Sequence, residues 1–285
     1  MDISWTSNSI ASVVYAAARM SAWGPVRRLN PAFEPMASCA RELELQIAAA
    51  DGSSATIWQV LLANAFGSKN AEEFYKRVEA RPDTRGIGGD ELRKCEAAFN
   101  KCCPNFASEI QYRELPLRNN WGAEGPGLLH GVCRMAGVEP PVDALVCIVQ
   151  PISAGGGTVL ADSAVPSVII EAVMTNENPL LSETMRLAWL LATANCESDC
   201  EMRSLSLIPV TLAVGEELGV TRLDGQTVAD AVAEWANQLL ETPGNPSDSD
   251  VGRALWQWWR ESQAEIESNG VASCLRRLKT LVASL

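Results

Sequence analysis

Histidine is nearly missing from this chain: His130 is the only one in 285 residues. That scarcity removes most familiar chemistries. Catalytic zinc usually rests on several histidine ligands, and any serine triad would have to recruit His130 as its base. His130 and Cys133 lie one helical turn apart, yet no further ligand stands near them in sequence. No Gly-x-Ser-x-Gly nucleophile elbow is present. Basic residues are also short: 23 Lys and Arg stand against 35 Asp and Glu, for a net charge of −12. Nucleic acid and anionic membrane surfaces need clustered cations, so neither is expected as a partner. Long apolar runs are missing too. The longest uncharged window, residues 144–161, contains Pro151 and the Gly155-Gly156-Gly157 loop, which excludes a membrane helix there.

Cysteine is present without a disulfide pattern. Nine cysteines, an odd number scattered along the chain, fit a reducing compartment. Cys196 and Cys200 are surrounded by Glu197, Asp199 and Glu201, whose charge disfavours a thiolate. Cys95, Cys102 and Cys103 lack the CxxC spacing, so all nine read as small core hydrophobes. The first residues, Met1-Asp2-Ile3-Ser4, carry an acid where a secretory signal needs a base, and a cytoplasmic location is expected.

What the chain has is apolar mass: 47% of its residues are hydrophobic, ample for a sizeable core. Residues 1–104 read as a helical region of short segments. The first, Asn8 to Trp23, carries Ile10, Val13, Val14, Ala17 and Met20 at helical spacing. Residues 105–240 read as a central α+β unit. In it, Pro116 to Gly127, with its prolines and glycines, predicts a break in helix, and a later helix is expected around Pro209 to Leu218. Residues 241–250, rich in Pro, Gly, Ser and Asp, predict a linker. Residues 251–285 then predict two helices packing on the core, all of which is compatible with one continuous domain. In the last helix Val271, Cys274, Leu275, Leu278, Leu281, Val282 and Leu285 form one stripe opposite Arg276, Arg277 and Lys279. The fold class is mostly helical α+β, with a small sheet around residues 143–174 packed on a buried helix over 179–195.

Chemistry, if any, belongs to that sheet and helix. Asp143 to Gln150 and Ser167 to Val173 read as buried strands, joined through the triple-glycine loop. The loop lacks the Lys-Ser/Thr of a phosphate loop and the spacing of a dinucleotide fingerprint, so it predicts a sharp hairpin or bulge. Asn178 and Pro179 then predict the start of a helix that is apolar on almost every side, with Glu183 and Arg186 as its only charged stripe. Paired acids able to do glycosidic acid–base work exist as Glu216 with Glu217 and as Glu171 with Glu183.

Ser182-Glu183-Thr184-Met185-Arg186, on a helix entered from a strand, resembles the active-site helix of zincin metallopeptidases, His-Glu-x-x-His. Glu183 falls at that family's general base, while Ser182 and Arg186 occupy the two zinc-ligand positions. The resemblance therefore implies a degenerate, zinc-free core. The segments 117–129, 183–191 and 208–217 are similar to those of an uncharacterised bacterial protein family. That likeness spans roughly residues 105–240 and implies a coherent unit without an assigned activity.

The sequence favours a non-enzymatic cytoplasmic protein, a protein-interaction or structural module whose protein partner and oligomeric state it does not specify. Its contact candidates are Trp121, Trp256, Trp258, Trp259, Leu278 and Leu285, since tryptophans concentrate at interfaces. The alternative is a hydrolase-type enzyme using Glu183, Arg186 and Glu171 in a cleft beside the glycine loop. Neither requires a metal or a cofactor.

Overall fold

The computed structural model describes all residues except 22–28, 51–52, 85–86, 88, 154, 162, 175, 177, 197–199 and 237–246, together with the side chains of 200 and 201. Most of the linker expected over 241–250 therefore lies outside the described residues.

The protein is a mostly helical α+β fold built around one mixed sheet. Its strands are β1 (Asp2–Ser7), β2 (Asp143–Val149), β3 (Gly157–Val159) and β4 (Ser167–Glu171), in the spatial order β1-β2-β4-β3. β1, β2 and β4 run parallel, and β3 joins antiparallel at the edge. Alternation along the strands divides the core in two. Cys147, Val149 and Ile169 face a cluster with the N-terminal helices, while Val146, Ile148, Val168 and Ile170 face the other. A parallel sheet covered on both faces needs apolar residues on both, which is why β2 and β4 read as continuous hydrophobic runs.

On the first face lie α1 (Ser9–Ser21), α2 (Ala37–Ala49), α3 (Ser54–Phe66), α4 (Ala71–Ala80) and α5 (Gly89–Cys102). α1 leaves β1 through Asn8, whose Oδ1 accepts from Ile10 N at 2.9 Å and whose amide donates to Ala65 O and Ser68 O. The other face holds α6 (Phe106–Ala136), α7 (Glu183–Ala194), α8 (Cys200–Glu217), α9 (Gly225–Trp235), α10 (Asp248–Asn269) and α11 (Leu275–Ala283).

Four expectations change. The chain's first residues form a strand, so residues 1–104 are not purely helical. β1 is half-exposed and, among the described residues, pairs only with β2, some 140 residues away in sequence, a partner that local pattern does not reveal. The expected break at Pro116 to Gly127 is instead the middle of the 31-residue helix α6. Each proline there forfeits one backbone hydrogen bond, but burial of Leu117, Trp121, Leu128, Leu129 and Val132 outweighs that loss. Two glycines of α6 allow close approach: a Cβ on Gly125 would overlap the Trp121 ring, and one on Gly131 would lie 2.6 Å from Val214 of α8. α8 likewise runs through Pro209 instead of starting there. Finally, α7 begins at Glu183 with Ser182 as its cap, the Ser182 hydroxyl accepting from Met185 N at 3.2 Å; Asn178 closes a preceding turn by accepting from Leu180 N.

The C-terminal segments pack on this protein's own core. Gly270, with φ 76°, ends α10, and Trp258 Nε1 donates to Cys274 O at 3.0 Å. Leu278 is fully buried, whereas Leu285 is 53% exposed. Leu278→Ala is expected to lower stability by about 2–5 kcal/mol, and Leu285→Ala by less than about 0.5 kcal/mol. Urea unfolding followed by circular dichroism measures both. Equal effects would contradict this docking of the last helix.

Candidate functional site

Glu171 sits at the carboxyl end of β4 with no exposed surface. In parallel sheets the space beyond the carboxyl strand ends is where binding groups usually collect. Here it holds a polar cluster drawn from both layers. Ser153, in the loop after β2, donates its hydroxyl to Glu171 Oε2 at 2.9 Å. A Cβ placed on Gly156 would stand 2.6 Å from the Tyr15 hydroxyl and 3.2 Å from Glu171 Oε1, which puts Tyr15 of α1 against this carboxylate. Arg186 arrives from α7 and donates to Glu171 O at 3.4 Å. Arg19, one turn beyond Tyr15 on α1, is 1% exposed, and its Nε and Nη1 have no hydrogen-bond partner among the described residues.

Glu183 and Arg186 come together as the sequence predicts, as an i, i+3 pair at 3.7 Å, with Glu183 8% and Arg186 3% exposed. That separation is loose for an ion pair. Glu183 instead takes a short hydrogen bond from the Val173 backbone N–H, which ties the entry of α7 to the exit of β4. Burial pushes the Glu183 carboxyl up to about 7 against the opposing pull of Arg186, the Val173 amide and Arg113; neighbouring Glu171 adds to the rise. Burial, reinforced by Glu171, also raises the Tyr15 hydroxyl well above its ordinary range.

The glycine loop is shaped by this cluster. Gly155 has φ 133°, and a Cβ there would overlap the Arg186 guanidinium. The loop makes the sharp return to the short edge strand β3 that its composition predicts. Around the cluster, Arg113 of α6 donates to Ala172 O at 3.4 Å, and Gln150 at the end of β2 donates to Glu109 at 3.3 Å.

The other predicted residues do not converge here. Trp121, Trp258, Trp259 and Leu278, expected as contact surfaces, are buried in the core, because large apolar groups on these helices fill the space under the sheet. Trp256 is half-buried beside Gly225, and Leu285 remains exposed. His130 points to solvent while Cys133 is buried, so the two do not share a face. Burial pushes the Cys103, Cys133 and Cys147 thiols up to about 12, where they are inert. Glu216 and Glu217 are exposed, engaged with Leu223 N and with Arg134. At the zincin ligand positions, Ser182 caps the helix and Arg186 spans to Glu171. Among the described residues no three His, Cys, Asp or Glu side chains gather as a metal would need.

Two participants, Tyr15 and Arg19, escape sequence reasoning that follows only one helical face. The signal was nonetheless present: residues 10–19 are apolar or small almost all round, so the helix is buried and its lone charge, Arg19, needs a partner inside.

Comparison with protein-family models, with curated proteins and with solved structures finds no match. The site therefore has to be judged by its own geometry.

Glu183 supplies a pH test. Its carboxyl is raised in the folded state above the unfolded value of 4.5, so the folded protein holds the proton more tightly. Its contribution to stability is full below about pH 4.5 and declines as pH rises through about 7. Relative to Glu183→Gln, the parent protein should lose up to ~3 kcal/mol between pH 4.5 and 8. Parallel urea midpoints of the two proteins across that range would refute the assignment. Gly155→Ala should destabilise by roughly 1–3 kcal/mol through its positive φ and the displaced guanidinium, which thermal melts compare with a Gly219→Ala control. Gly219 also has a positive φ, but nothing lies within 4 Å of its would-be Cβ.

Proposed function

We propose that this protein is a non-enzymatic module for protein interaction or structural support, and that its charged cluster is an internal brace. The enclosure of that cluster carries the proposal. Glu171, Glu183 and Arg186, on which a metal-free hydrolase would depend, are each less than a tenth exposed. At the strand ends Glu171 accepts from Ser153, Glu183 from the Val173 amide, and Arg186 donates to Glu171 O. A general base must reach the proton it removes, within about 3 Å or through one water.

The surface offers contacts that composition did not single out. Tyr112 and Leu115 lie one turn apart on α6 and are 73% and 61% exposed. Such paired apolar groups on a helix are natural anchors for a partner. Among the described residues no helix is long and apolar enough to cross a membrane. We place the protein in the cytoplasm, a location that eight free thiols among the described residues support.

One observation favours the alternative. A carboxyl raised to about 7 is matched to acid–base work at neutral pH, and Glu183 has one. The two functions separate experimentally. In cross-linking mass spectrometry on intact cells, the tagged protein should yield cross-links around Tyr112 and Leu115. The double variant Tyr112→Asp, Leu115→Asp should lose them while keeping its melting temperature. Saturable turnover of an ester, glycoside or peptide substrate, abolished in a stably folded Glu183→Gln protein, would replace the module with the hydrolase.

A further inference from the structure

A cavity of about 230 Å³ lies against the edge strand β3, away from the charged cluster. Its walls include Val159 of β3, Trp189, Leu190 and Thr193 of α7, and Trp235 at the end of α9. The rings of Trp189 and Trp235 stand 5.8 Å apart at 32°, giving the space an aromatic wall. No charged residue is among its described lining residues. An apolar cavity of roughly 150 Å³ stays dry and takes up benzene, so this larger space suits one or two fused rings.

We propose that this cavity is a binding site for a small neutral aromatic molecule of one or two fused rings. The flat indole walls select planar rings by stacking. The uncharged lining rejects ions, because a charge moved there would lose its hydration without compensation. This site is independent of the module proposed above, since it shares no residue with Tyr112, Leu115 or the cluster.

Ligand-observed NMR and calorimetry at pH 7.5 with quinoline, naphthalene and 2-naphthoate test the proposal on the full chain. Quinoline should bind with one-to-one stoichiometry at a Kd on the order of 0.1–1 mM, as expected for a ligand of this size. Naphthalene, equally flat and neutral, should bind at the same site and compete with it. 2-Naphthoate should not compete. Val159→Phe, which fills the space, should abolish binding of both neutral ligands. Trp235→Phe, which keeps a flat ring in the wall, should retain both. Melting curves verify that both variants fold, and Leu190→Ala, which enlarges the space, should still bind. Absence of saturable binding in the parent protein overturns the site. So does binding that survives Val159→Phe, or 2-naphthoate competing as well as quinoline.

Discussion

The joint at the carboxyl end of β4 is the constraint on which the rest of the structure depends. Two hydrophobic cores lie on opposite faces of one narrow sheet, and few side chains touch both. Glu171 does so: it meets Tyr15 from the α1 side and Ser153 in the loop, while its own backbone receives Arg186 from α7. Glu183 adds a second link by holding the Val173 amide as the chain leaves the sheet. Taking these charges out of water is expensive, and burial of the Glu183 carboxyl registers that expense directly. What is gained is geometry. The cluster sets how α1 and α7 approach the strand ends from opposite sides, which apolar contacts alone specify poorly.

The glycines and prolines express the same economy of space. Gly155 exists so that Arg186 can lie across the loop, and Gly131 lets α6 and α8 approach closely at Val214. Gly137 and Gly270, both with φ near 76°, meet where α6 and α10 end, their backbones within 3.4 Å of a would-be Cβ on Gly270. Pro116, Pro126 and Pro209 sit inside helices because long buried faces hold those helices together across the missing backbone bonds. Composition taken locally reads these residues as breaks; tertiary packing makes them contacts.

The acidic surface and the sealed cluster divide the protein's charge into two populations. Exposed pairs such as Lys76 with Glu72 and Arg81 with Asp83 are screened and contribute little. Cluster members cannot be removed singly without leaving an uncompensated partner inside. The aromatic cavity belongs to neither population. It lies on the α7 side of the edge strand, where β3 is only three residues long and the helices do not close fully over it.

The sequence by itself determined the fold class, the two central strands, the buried helix carrying Glu183 and Arg186, and their pairing, because each follows from periodicity over a short window. It also showed the last helix to be amphipathic through residues such as Leu278 and Leu281. It did not show that this face docks on α8 and α10, which buries tryptophans that composition alone marks as contacts. Only the tertiary structure decided that Asp2–Ser7 is a strand, because it pairs with the distant β2. Only it brought Tyr15 to Glu171, since helix α1 and strand β4 meet through the sheet and not along the chain. Long-range pairing and burial of charge are properties of the folded whole, and no local pattern encodes them.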